Sequence, residues 1–110
     1  MFDVACTELR VDCSDLPPPR VVYTTDLAML GSDRNLGTYW GIFNTIFINS
    51  GRHYVPWEQV ELHEMVHYVL DKKANVTRCQ SEETARVVTA RVFNREVASG
   101  WRSAYRCPAR

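Results

Sequence analysis

Apolar residues recur at helical spacing downstream of Pro56, where Leu62, Val66, Val69 and Leu70 form one stripe and Glu61 and Tyr68 fall on the far side. Pro56 suits a helix start, because its missing N–H would be unpaired in a first turn anyway, and Lys72 and Lys73 place positive charge at the end where the helix dipole is negative. The pattern predicts a helix over about 56–72. A second is predicted over about 78–98, with Thr77 and Gln80 at capping-box spacing and Gly100 as a natural stop. On it Glu82, Ala85, Thr89, Val92 and Phe93 share one face, and the small Ala85 would let the two helices approach closely.

The amino-terminal half reads differently. Arg20 to Tyr23 is a strand candidate, Asp26 to Leu30 a short helix ended by Gly31, and Gly37–Phe43 with Thr45–Asn49 a hairpin turning near Phe43 and Asn44. Tyr39, Trp40 and Phe47 read as core aromatics. Pro17, Pro18 and Pro19 set off a cysteine-containing leader, residues 1–19, from a single domain over 20–110. At 110 residues, with 45% hydrophobic and 24% charged, the chain has room for one core and no repeat, and no apolar run approaches the 18 or so residues that span a bilayer. The expected class is α+β, a small mixed or antiparallel sheet packed on two helices.

The first helix carries His63-Glu64-Met65-Val66-His67. At 3.6 residues per turn the two imidazoles leave the same face one turn apart, where both can reach one ion, and Glu64 falls about 100° around, able to touch a metal-bound water. This is the core of a zinc hydrolase site. Such a site takes three protein ligands and keeps one position for water. No histidine follows His67, so the third ligand must be an acid: Asp71, Glu82, Glu83 or Glu96. Asp71 lies too far along the same helix axis to close a tetrahedron, which leaves the first turns of the second helix. Glu82 faces the motif and Glu83 points toward Arg86 and Val87, but a one-position shift of the cap would exchange them.

These residues resemble the gluzincin metallopeptidases, in particular the small single-domain forms called minigluzincins or zincin-like proteins. The likeness covers Gly37 to Asn49, the motif helix, and Glu82-Glu83-Thr84-Ala85, which is similar to the glutamate-x-x-alanine pattern that carries the third ligand in many gluzincins. It also extends to small bacterial proteins with a cysteine three residues before that glutamate, as Cys79 is here. The resemblance implies a zincin-like fold, one Zn2+ held by His63, His67 and Glu82, a peptide or protein substrate, and an extended peptide pairing with the edge of the hairpin. Glu64 would then serve as general base and pass the proton to the leaving amine. A second oxyanion donor is expected from His53, Tyr54, Arg86 or Tyr105. The alternative from another class is a zincin-fold binding or regulatory protein with a structural or vestigial zinc site, which a chain without a second lobe favours.

The net charge of zero hides a division. Residues 1–71 hold 4 basic and 10 acidic side chains, or −6, and residues 72–110 hold 9 and 3, or +6. The arginines of the second part are spread too evenly to form a nucleic-acid reader, so a solvated helix face is the expectation and nucleic acid is not the expected partner. None of the four cysteines has the C-x-x-C spacing of a structural zinc site. Of three possible pairings, Cys6 with Cys13 and Cys79 with Cys107 are favoured, the second tying the tail back along the second helix. That implies an oxidising compartment, secreted or periplasmic; four thiols would mean the cytoplasm. The amino terminus has no signal-peptide pattern, and the Asn75-Val76-Thr77 sequon reads as incidental.

Overall fold

The computed structural model describes residues 1–32, 35–51, 55–98 and 100–108. Its elements run α1 (Phe2–Leu9), β1 (Arg20–Thr24), α2 (Leu27–Leu30), β2 (Gly37–Trp40), β3 (Thr45–Asn49), α3 (Trp57–Lys73), α4 (Arg78–Val92) and α5 (Trp101–Ala104), with a single 3-10 turn over Gly41–Phe43. The class is α+β. The sheet is mixed, in the order β1-β3-β2. β2 and β3 form the expected antiparallel hairpin, Trp40 opposite Thr45 and Gly37 opposite Ile48, and β1 adds to the far side of β3 in parallel.

Alternation along the strands divides the aromatic and aliphatic residues between two faces. Ile46 and Ile48 are fully buried and join Val60, Leu62, Val66 and Val69 of α3 in the core. The opposite face carries Trp40 and Phe47, whose rings meet edge to face at 5.8 Å. There α2 is anchored by its Met29 carbonyl, which accepts from Trp40 Nε1 at 2.9 Å and Thr38 Oγ1 at 3.0 Å. Asp26 caps α2 through the Ala28 N–H, and Gly31 ends it at φ 82°, a left-handed value that costs glycine little.

The central helix is buried on more sides than its apolar stripe predicts. Tyr68, expected on the far side, is 1% exposed. Residues 1–19 cover it: α1 contributes Ala5 and Cys6 to the core, the Phe2 ring lies 6.3 Å from Tyr68, and Tyr68 donates its hydroxyl proton to the Pro17 carbonyl at 2.6 Å. The segment set off by prolines therefore packs into the same core as the rest of the chain. Arg10, left-handed at φ 57°, turns the chain after α1, and Cys6 is bonded to Cys13.

Two boundaries differ from expectation, and the first is β2, which ends at Trp40 where a strand to Phe43 is expected, because Gly41–Phe43 form the 3-10 turn. α4 begins at the expected capping box, with Thr77 accepting from the Gln80 N–H and Gln80 reaching back to the Thr77 N–H, but it ends at Val92 instead of running to about 98. Asn94 adopts φ 53°, and the Arg95 N–H closes on the Ala90 carbonyl at 2.8 Å, so a Schellman-type stop forms well before Gly100. Gly100, expected as the stop, is the left-handed residue that starts α5. Cys107 is bonded to Cys79 and lays α5 along the first turns of α4, so both favoured pairings are present.

Candidate metal centre

α3 presents His63 and His67 one turn apart, their ring centroids 5.1 Å from each other. α4 crosses them with Glu82 in its second turn, close in because Ala85, fully buried, leaves room between the helices. The Nε2 atoms of His63 and His67 lie 3.0 and 2.9 Å from one oxygen, Glu82 Oε1. The three candidate ligand atoms are all within 4.8 Å of one another, and this is the one such group among the described residues. Two imidazole nitrogens and a carboxylate oxygen could hold a metal ion. Ligands around a tetrahedral ion at roughly 2.0–2.1 Å stand about 3.3 Å apart, a few tenths of an ångström more than the two nitrogen–oxygen distances seen here.

The supporting contacts suit that use. The Nδ1 of His67 is 2.7 Å from Ser81 Oγ; in the tautomer that frees Nε2 for a metal, Nδ1–H donates to this hydroxyl and fixes the ring. Glu82 is 2% exposed, and its second oxygen, Oε2, accepts from Arg86 Nε at 2.8 Å. Burial pushes the Glu82 carboxyl upward, but hydrogen bonds and charge from His63 and His67 outweigh it and leave the group well below the usual carboxylate range. For His67 burial acts downward, and the Glu82 hydrogen bond with the charges of Glu64 and Glu82 more than reverses it.

Glu64 sits beside the pair, 8% exposed. Burial raises its pKa, partly offset by His63 and His67 and reinforced by Glu82. Gly37 makes its position feasible: a Cβ there would stand 2.8 Å from Val60 Cγ1 and 3.1 Å from Glu64 Cγ, so only a residue without a side chain lets the β2 strand lie against the motif helix. An open cleft of about 560 Å³ follows, lined by Thr38 and Tyr39 of β2, Glu64, His67 and Asp71 of α3, and Glu82 and Tyr105 from the carboxyl side.

Of the other candidate acids, Glu96 is exposed beyond the end of α4, and two have partners elsewhere. Glu83 pairs with Arg102 Nη2 at 2.8 Å, and Asp71 accepts the Tyr39 hydroxyl proton at 2.5 Å. Among the expected oxyanion donors, Tyr105 reaches the cleft, with its hydroxyl pKa raised by burial and the Glu82 charge against the opposing effect of Arg86. Arg86 is spent on Glu82. His53 and Tyr54 lie outside the described residues. Sequence reading missed Ser81, for which no signal exists in one chain, and the role of Arg86, which its position four residues after Glu82 did signal.

No protein-family model, curated protein or solved structure matches this chain. The charge division of the sequence is partly closed in space, since Arg91 pairs with Glu8 at 2.9 Å and Lys73 with Asp15. Among the described residues no helix is long and apolar enough to cross a membrane, and the two disulfides are compatible with an extracellular location.

Proposed function

We propose that this protein is a zinc-dependent metallopeptidase of the gluzincin type, with a zincin-like fold, acting outside the cytoplasm on peptide or protein substrates. The observation that carries the reading is the meeting of the His63 and His67 Nε2 atoms on a single Glu82 oxygen, with the Glu64 carboxyl buried beside them at the cleft. His63, His67 and Glu82 would hold the ion, and one set of two nitrogens and one oxygen is the donor chemistry of catalytic zinc. When bound, zinc supplies a Lewis acid and acidifies water toward neutral pH.

The chain's own residues do the rest. Glu64, its proton affinity raised by burial, takes the proton of the attacking water and returns it to the leaving amine. Ser81 keeps the His67 ring oriented, and Tyr105, still protonated at neutral pH, can donate to the developing oxyanion. β2 is an edge strand of the sheet and borders the cleft, so an extended peptide can pair with it as a further strand.

The test is metal content after purification without added metal, with cleavage of a mixed peptide library by wild type and Glu64→Gln. One zinc per chain, cleavage by wild type, and a rate lower by about 10²–10⁴-fold in the variant with metal retained are expected. Equal turnover in Glu64→Gln overturns the mechanism. Bound zinc without any cleavage moves the reading to a binding or regulatory protein with a structural site.

A further inference from the structure

The proposed centre depends on Glu82, and the C-terminal segment is built around the residue that holds Glu82. Arg86, one turn further along α4, takes Oε2 at 2.8 Å while Oε1 stays with the two histidines. The guanidinium lies against two rings of the α5 segment, its Cζ 5.5 Å from the Trp101 centroid and 5.8 Å from that of Tyr105. That segment is itself fixed at two points: Arg102 pairs with Glu83 at 2.8 Å, and Cys107 is bonded to Cys79 in the first turn of α4. An i,i+4 pair on an exposed helix contributes a few tenths of a kcal/mol and needs no such enclosure. Here the acid is 2% exposed and the base is backed by a tryptophan that is 8% exposed.

We propose that Arg86, held by Trp101 and Tyr105, is a positioning residue that presents Glu82 to the metal through Oε1 alone, and that the Cys79–Cys107 bond locks this clamp. The inference rests on the metal reading above. A free carboxylate can place both oxygens on one cation. With Oε2 engaged in a charge-assisted hydrogen bond, one oxygen is left and a coordination position stays open for solvent. A planar guanidinium suits both tasks, donating to one carboxylate oxygen from its edge and lying over rings with its face, whereas a lysine ammonium carries the charge without the plane.

The test uses the full chain with both disulfides verified by mass, titrated with Co2+ and Zn2+ against a competing chelator, no peptide being present. Arg86→Gln is expected to weaken affinity by about 10- to 100-fold. Its cobalt visible bands should also lose intensity, because coordination number rises when the second oxygen joins. Arg86→Lys should fall between, and Cys79→Ser with Cys107→Ser should shift both readouts the same way by a smaller factor. Arg86→Gln with wild-type affinity and spectrum overturns the proposal, as does Arg86→Lys matching wild type in both. Should Arg86→Gln not fold, Tyr105→Leu removes one ring of the clamp, and an unchanged cobalt spectrum there also overturns it. Wild type that binds cobalt and cleaves no peptide would remove the peptidase and leave this inference standing; wild type that binds no metal removes both.

Discussion

The two faces of α3 do opposite work with the same backbone. Toward the leader and the sheet it buries Leu62, Val66, Val69 and Tyr68 among apolar neighbours, each worth about 1.5–3 kcal/mol of transfer free energy. Toward α4 it presents His63 and His67, with Glu64 sheltered beside them against β2; these groups cost free energy to bury, and the histidines are kept there by Glu82 and Ser81, Glu82 in turn by Arg86. The difference teaches that the apolar faces are what hold the polar one in place. A charge cluster this close would not stay assembled on a helix free to turn.

The comparison breaks first where a ligand is removed. Glu82→Ala should reduce zinc from about one ion per chain to background, measured by metal analysis, and abolish any peptidase activity. Glu83→Ala should retain the metal, because that carboxylate is paired with Arg102 away from the histidines. On the apolar face Leu62→Ala should cost about 2–5 kcal/mol in urea unfolding while leaving zinc stoichiometry intact at low temperature. Tyr68→Phe, which removes only the hydrogen bond to the Pro17 carbonyl, should cost about 0.5–1.5 kcal/mol.

The polar face also predicts a pH signature for the metal-free protein. Glu82 is depressed below its usual 4.5, so its contribution is present above that pH and lost as pH falls through the folded value. Glu64 is raised above 4.5, so folding favours its protonated form and stability falls as pH climbs from 4.5 through its folded value. His67 is raised above 6.5, so its contribution is whole below 6.5 and lost above. Thermal unfolding without metal should therefore be most resistant at mildly acid pH. Added zinc, which needs deprotonated ligands, should move the optimum toward neutrality. An optimum that stays put on adding zinc counts against the assignment of these three groups.

Much of the site was legible in the chain because it is local. His63 and His67 need only the helical period to share a face, with Glu64 about 100° around, and Glu82 is the favoured third candidate although a one-position shift of the cap would exchange it with Glu83; the cap formed at Thr77 and Gln80 brings Glu82 to the histidines. The hairpin followed from two strand-like runs around a turn, and both disulfides are the favoured pairings among three, one closing a short loop and the other within reach along the chain. The end of α4 was misjudged because glycine is the stronger stop signal in sequence, and Asn94 won by closing a hydrogen bond that depends on its own left-handed backbone.

Other features belong to the tertiary structure alone. That Tyr68 is buried follows from where α1 docks, a contact between positions far apart in the chain that no periodicity encodes. The need for glycine at 37 appears only when β2 meets Val60 and Glu64. Arg86 meets Trp101 and Tyr105 only because the chain after α4 returns along it, a return closed by the Cys79–Cys107 bond and the Glu83–Arg102 pair. The chain itself determined which groups leave each helix on which side, since that follows from bond geometry and capping. Which of them meet was decided by packing, where burial of the apolar faces selects one arrangement and the polar residues take the partners it leaves them.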